Sequence, residues 1–386
     1  MKASQSLSRI RMPAEWERHA ACLILFPHNA ATFRLSLAQP QVLRVARTIA
    51  TVGQEPVILF ANDEMETFRL RELLKLDENI RVLTCPSNDT WARDTAPTFV
   101  TLNDGDGQNN ELLLRGLDWD FNAYGGAEEG CYWPCCLDQK VAATMCRQIS
   151  DVGILAEPIE SLPISLVLEG GSIHTDGEGT ILTTRECLLN NNRNPSMSRQ
   201  EIEEIILCNT GCTKMIWLSD GLANDDDTNG HVDNFACFIR PGHVLLAWTD
   251  DEVYDTENYV RCRAALQILQ KERDARERNL TVDKLYLPTP MTYSQEVVDS
   301  LNSCISGPNI AARHAGERLA ASYINFYIAN GAVIVPQFDD DVYDSKAIET
   351  LEELFPAHKV VGVSSKEILI GGGNIHCITQ QVPSLL

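Results

Sequence analysis

The sequence predicts an α+β fold assembled from repeated strand–helix modules, and three observations carry that expectation. Strand-like and helical segments recur in a strand–hairpin–helix–strand order. One motif occurs twice: Leu168-Glu169-Gly170-Gly171-Ser172-Ile173-His174-Thr175 aligns with Ile370-Gly371-Gly372-Gly373-Asn374-Ile375-His376-Cys377. A motif repeated this far apart points to repeated modules rather than two unrelated domains. Finally, the run 21–26 has no hairpin partner before it and the last segment has none after it. These two are expected to pair and close a ring of modules, as β architectures without free edges do.

Taken in order, apolar strand-like runs lie at 21–26, 56–60, 81–85, 111–114, 164–168, 181–184 and 214–218. They continue at 235–239, 244–248, 284–287, 323–328, 333–336 and 359–363. Helical periodicity with charged faces marks 137–150, 198–207, 255–273 and 344–355. Ser198 with Glu201 fits a capping box at one helix start, and Ser345 with Glu349 is a looser match. Turns are expected at Arg240-Pro241-Gly242 and at Asn330-Gly331, a strong two-residue signal. The stretch 103–110 reads as a loop between strands.

With 386 residues, 44% hydrophobic and 22% charged, the chain has the balance of an ordinary globular protein. No apolar run reaches membrane-spanning length, and residues 1–16 lack the apolar stretch of a secretory signal. The 13 cysteines are odd in number, with Cys135-Cys136 adjacent and no CxxC pair recurring at zinc-ribbon spacing. Free thiols and a cytoplasmic setting are expected. The net charge of −22 repels nucleic acid and anionic membranes and concentrates cationic ligands.

Polar and aromatic residues gather in four segments: Trp91-Ala92-Arg93-Asp94, Leu168 to Gly171, Asp225 to Asn234, and the segment of Cys377. The third contains a decoy. Asp225, Asp227, Asn229 and Gly230 fit the opening of a calcium loop, but its twelfth position, which must supply a bidentate carboxylate, is Ala236. Asp225 and Asp226 then read as solvated loop charges. His174, His231, His376 and Cys377 lack local zinc spacing. Structural roles are expected for His174 and His376, each with one ring nitrogen on backbone. Cys22, Cys187 and Cys237 sit in apolar runs and read as core.

A cysteine with histidine and carboxylates elsewhere is the ingredient list of a thiol nucleophile. The order is wrong for a papain-like protease. Carboxylates around a thiol also raise its pKa, which makes sense if the substrate brings positive charge. A planar guanidinium matches carboxylates in a bidentate fork, and its central carbon is a target for a thiolate.

On these residues the chain resembles the agmatine deiminases of the guanidine-modifying superfamily. The resemblance runs from Met12-Pro13-Ala14-Glu15-Trp16-Glu17 through Trp91 to Asp94, Glu169-Gly170-Gly171 and Asp227 to Asp233, to the ending that starts at Gly371. It implies a five-bladed α/β propeller, a pentein fan of ββαβ modules with pseudo-fivefold symmetry, and a single catalytic domain over 1–386. It implies Cys377 as nucleophile, His231 as general acid and base, and Asp94 and Asp233 as the carboxylates that grip the guanidinium. Trp91, Glu169 and Asp227 match positions that line the substrate pocket. For Trp91, core packing competes evenly on sequence alone.

Where the family usually carries tryptophans, this chain has Phe26 and Phe33, which keep an aromatic face for cation–π stacking. The implied reaction converts agmatine to N-carbamoylputrescine and ammonia, a step of putrescine and polyamine biosynthesis, with no cofactor and no metal. The expected partners are the small cationic substrate and a second copy of the chain in a homodimer, not nucleic acid or membrane. The alternatives are a deiminase of peptidyl-arginine or another guanidino substrate, an amidinotransferase, or a catalytically dead polyamine-binding module.

Overall fold

The computed structural model describes residues 10–103, 112–155, 158–306 and 310–385. The loop expected at 103–110 therefore lies almost wholly outside the described residues. Among those residues the strands form five separate sheets, none closed on itself, which makes a mixed α/β fold. Each sheet repeats one scheme, an antiparallel pair followed through a helix by a parallel strand. In one, Ala236–Arg240 turns back onto His243–Trp248, and the helix Thr256–Leu269 returns the chain to Thr281–Tyr286. Ile173–Thr175, Thr180–Thr184 and Lys214–Leu218 repeat it across the helix Arg199–Thr210, and Tyr327–Ile328, Ala332–Gln337 and Lys359–Ser364 across Asp341–Leu354. A four-stranded sheet holds Thr98–Asn103, Leu112–Asp120 and Glu160–Val167 across the helix Val141–Asp151, with Ile10–Arg11 added at the edge.

The fifth sheet joins the two ends of the chain. Thr379–Pro383 pairs antiparallel with His19–Leu25, Gln380 opposite Leu23, and His19–Leu25 runs parallel to Val57–Ala61. This is the pairing expected from the unpartnered ends. The C-terminal strand is buried along its whole length, so its loss would strip one edge from a sheet buried among apolar neighbours. A chain ending at Ile378 should fail to give a cooperative thermal transition. A normal melting curve for that truncation would show that the pairing is dispensable.

Local chemistry explains most element boundaries. Ser198 and Glu201 make the full reciprocal capping box, and the turn at Pro241-Gly242 places Gly242 at φ +71. The second expected cap is corrected. The last long helix begins at Asp341, capped by Asp340 accepting from the Tyr343 N–H, and Ser345 lies inside it. Three of the longer helices escaped the sequence pattern: Leu35–Thr51, Glu64–Leu73 and Gln295–Asn302. The first carries Pro40 within it, which argues against a helix locally. It forms because its face of Ala38, Val42, Val45, Ala46 and Ile49 packs into an apolar cluster. The expected strand at 323–328 is reduced to Tyr327–Ile328, since Asn325 upstream of it accepts from the His376 N–H through both its carbonyl and its side chain rather than pairing in a sheet.

Candidate active site

The glycine-flanked cysteine is held by backbone contacts to two other segments. Asn325 Oδ1 accepts from the N–H groups of His376 and Cys377 at 3.0 and 3.3 Å, and its Nδ2 donates to the Cys377 sulfur at 3.1 Å. The Cys377 carbonyl accepts from the Arg93 N–H at 3.0 Å, which fixes the short helix Ala92–Thr95 and with it Asp94. A Cβ on Gly373 would meet Trp91 at 2.7 Å and the Cys377 Cβ and sulfur at 2.9 and 3.0 Å. A Cβ on Gly171 would meet His231 Nδ1 at 2.7 Å, Asp94 Oδ1 at 2.9 Å and Asp233 Oδ2 at 3.0 Å. The two copies of the glycine motif thus flank one site, and each leaves room where a side chain would fill it.

The expected residues Cys377, His231, Asp94, Asp233 and Glu169 converge here and are all buried. Asp94 Oδ1 accepts from the Gly171 N–H at 2.9 Å and Oδ2 from the Tyr124 hydroxyl at 2.8 Å. The Cys377 thiol lies 3.5 Å from Asp233 Oδ2. His231 sits between carboxylates, Nδ1 3.8 Å from Asp94 and Nε2 3.7 Å from Glu169. Both of its ring nitrogens, Asp233 Oδ1 and Glu169 Oε2 are buried without a hydrogen-bond partner. Buried polar atoms are rarely left in that state, so a ligand rich in N–H donors fits the gap.

Titration follows the same geometry. Burial pushes the Cys377 thiol well above its ordinary value, and Asp233 and Asp94 push it further. Burial opposes protonation of His231, but Asp94, Cys187 and Glu169 outweigh it and raise the ring. Burial also raises Asp94, with Asp233 and Glu169 adding to it against His231. Glu169 goes the other way: burial would raise it, yet Arg193 and His231 hold it down to about 2.

Above these groups lies a recess lined by Trp91, Asp94, Tyr124, Asp227 and Cys377 among others. Trp91 combines both of its expected roles: it is 6% exposed, stacks on Phe33 at 5.4 Å and forms part of the wall. Phe26 and Phe33 are corrected, because both are buried away from the recess; Phe33 backs Trp91 and Phe26 faces Arg69. Asp227 does line the recess, but a guanidinium already holds it, with Arg313 donating to both its oxygens at 2.6 and 2.7 Å.

Asp225 is also corrected. It is buried, accepts from Asn234 Nδ2 at 3.1 Å and is raised by burial to about 6, whereas Asp226 is exposed as expected. His174 accepts from the Phe238 N–H, the expected backbone contact, but both ring nitrogens of His376 face carboxylates instead.

Sequence reading missed Asn325, Asp89, Arg193 and Tyr124. A lone Asn in the apolar run from Tyr323 was the available signal for the first. Two buried groups, Glu15 with His174 and His376, and Glu169 with Cys187 and His231, have donor atoms within 4.8 Å of one another. Arg93 sits 3.1 Å from Glu15 and Arg193 2.7 Å from Glu169, and each guanidinium opposes a dication there. Cys187 is buried as expected but touches the site through His231.

The geometry agrees with known proteins over nearly the whole chain. The profile of the Porphyromonas-type peptidyl-arginine deiminase family matches residues 11–383. The chain is 47% identical to an agmatine deiminase of Pseudomonas aeruginosa, covering 97% of this chain and 95% of that protein. It is 44% identical to an agmatine deiminase of Medicago truncatula, over 97% and 96% of the two chains. The solved structure of the agmatine deiminase of Enterococcus faecalis, described as catalyzing its reaction, superposes with a TM-score of 0.84 at 35% identity, covering 98% of this chain and 97% of that one. The chain therefore belongs to the Porphyromonas-type peptidyl-arginine deiminase family, alongside the agmatine deiminases.

Proposed function

We propose that the protein hydrolyses agmatine to N-carbamoylputrescine and ammonia through a covalent thiouronium intermediate on Cys377. The observation that carries this reading is the pair of unpartnered buried acceptors at Asp233 and Glu169 beside a thiol that burial, Asp233 and Asp94 keep protonated. A guanidinium between Asp94 and Asp233 donates N–H hydrogen bonds to both carboxylates. Its charge offsets theirs, and on binding the Cys377 proton is released to solvent, where it ends on the ammonia set free later. The thiolate attacks the central carbon and forms a C–S bond. His231 gives a proton to one nitrogen, the C–N bond breaks and ammonia leaves. His231 then takes a proton from a water that adds to the same carbon; the C–S bond breaks and returns the thiol. Agmatine and water are consumed, and N-carbamoylputrescine and ammonia are formed.

The distal ammonium needs its own anchor. Asp227 is held in a fork by Arg313, which leaves Asp89 as the recess carboxylate with no ion pair among the described residues; Arg313 acts on it only through its charge. It accepts from Thr32 Oγ1 at 2.6 Å and the Thr90 N–H at 2.8 Å, and burial raises it to about 7. An arginine carboxylate would meet like charge there. The preference for agmatine over uncharged-tailed butylguanidine should grow as pH rises through about 7, where Asp89 ionises. Asp89→Asn should flatten that preference; a ratio of kcat/KM that stays pH-dependent in the variant would place the anchor elsewhere.

The deciding assay compares ammonia release from agmatine, free arginine and an arginyl peptide. Release from agmatine alone is expected, and release only from the peptide would transfer the reading to peptidyl-arginine. The finer architecture belongs to the same proposal: one catalytic domain of five ββαβ blades in a pseudo-fivefold fan. The five like sheets and the joined chain ends support it. A cytoplasmic homodimer that does not bind nucleic acid is the accompanying expectation. The 13 unpaired thiols support the cytoplasmic setting and the charge of −22 supports the lack of nucleic-acid binding. Among the described residues no helix is long and apolar enough to cross a membrane.

A further inference from the structure

Glu15 lies far in sequence from Asp233 and His376, yet it reaches the back of the site. His376 Nε2 lies 2.9 and 3.0 Å from the two Glu15 oxygens, and His376 Nδ1 lies 2.8 Å from Asp233 Oδ2. Both carboxylates are buried, and so is the ring between them, 3% exposed. An ionised carboxylate has no hydrogen to donate. A ring with both nitrogens on carboxylate oxygens must therefore donate from both, and so carry both protons.

We propose that His376 is a fixed imidazolium, tied by Glu15, that orients Asp233 and keeps it ionised for the cationic substrate. Glu15 and His376 are then positioning residues, acting through Asp233. The inference rests on the reading that Asp233 grips the guanidinium.

The surroundings fit this assignment. The groups facing the ring are Asp233, Glu15, Arg93 and His174. Arg93 donates to Glu15 at 3.1 Å and to the His376 carbonyl at 3.4 Å, and the His174 ring stacks at 6.4 Å with Nε2 3.5 Å from Glu15. Burial and Arg93 oppose the ring's proton, and the two carboxylates outweigh them, so the ring is raised. Burial would raise Asp233, but His376 reverses this and leaves it lowered. Because Oδ2 is taken by the ring, the unpartnered Oδ1 is the oxygen free for substrate. The charges also balance. Glu15, Asp94, Glu169 and Asp233 face Arg93, Arg193, His231 and His376, so the arriving guanidinium is the charge that the Cys377 thiolate matches.

Removing the imidazolium should let Asp233, buried close to Asp94 and Glu169, take up a proton. In His376→Gln, kcat/KM for agmatine should fall on the order of 10²-fold at pH 7, the scale of a misplaced reacting group. The acid limb of the profile should move to higher pH, and the loss should shrink as pH rises. Glu15→Gln should move the limb the same way by less. A loss of equal size at every pH, with the acid limb unmoved, would overturn the role.

A second measurement uses the wild-type protein and does not depend on the variants folding. In nitrogen-15 histidine spectra, the His376 ring should show two bonded protons at pH 8. A ring with one bare nitrogen at pH 7 overturns the proposal even if agmatine is turned over. If agmatine is not hydrolysed but the ring carries both protons, the functional reading fails instead.

Discussion

Cys377→Ser should bind agmatine and not hydrolyse it, with kcat reduced about 10⁴-fold or more, the usual scale for loss of a nucleophile. Serine keeps the shape and the Asn325 contacts, but a hydroxyl has no accessible anion in a site with carboxylates on both sides. The same physics gives the wild-type thiol an unusual profile. Burial, Asp233 and Asp94 all raise it, so the neutral thiol is the resting form. Alkylation of the Cys377 peptide, followed by mass spectrometry because Cys136, Cys208 and Cys304 are exposed, should keep rising with pH beyond the ordinary thiol range. A saturating guanidinium ligand that leaves the sulfur open should lower the midpoint. A plateau already reached in mild acid without ligand would mean a preformed thiolate–imidazolium pair, and substrate-coupled deprotonation would be wrong.

Arg193→Met should cost about 3–5 kcal/mol of stability, because it leaves Glu169 as an uncompensated buried charge. Both side chains are fully buried at 2.7 Å. Arg193 also donates to the Tyr124 carbonyl at 2.9 Å, the Asn229 side chain at 2.7 Å and the Thr228 carbonyl at 3.1 Å. It therefore ties the loop before His231 to the segment carrying Tyr124. The pH dependence has a definite sign. Glu169 is lowered from 4.5 to about 2 on folding, so its contribution is complete above pH 4.5 and is lost as pH falls toward 2. Urea titrations of wild type between those limits should show that loss, and the Arg193→Met protein should show less of it. A variant within about 1 kcal/mol of wild type would mean that Glu169 had taken up a proton at little cost.

Much of the site was legible because its chemistry lies in short motifs. Cys377, His231, Asp94, Asp233 and Glu169 each sit in a dense polar segment, and the structure brings those segments together. The readings that failed depended on what approaches from elsewhere. Asp225 looked solvated because it starts an acidic run, but Asn234 folds back onto it. His376 looked structural because it sits beside a glycine turn, but Glu15 arrives from 361 residues away. Asp227 lines the recess as expected, but its segment gave no sign that Arg313, 86 residues on, closes a fork over it.

The helix at Leu35–Thr51 and the strand at 323–328 failed for a related reason. Pro40 speaks against a helix in isolation, and burial of one apolar face overrides it. The run from Tyr323 speaks for a strand, and Asn325 is drawn out of it by the N–H groups beside Cys377.

Periodicity, turn residues and capping are local properties, so the sequence by itself determined the repeated strand–helix order, the Ser198 cap, the Pro241-Gly242 turn and the pairing of the two chain ends. Charge composition and motif content likewise pointed to a cationic substrate and a thiol. Partners across hundreds of residues are a matter of packing. Only the tertiary structure decided which carboxylates are free, which are neutralised by Arg313, Arg193 or His376, and how strongly burial shifts each of them. The energy of a charge depends on its distance to other charges and to water, and neither distance can be read along the chain.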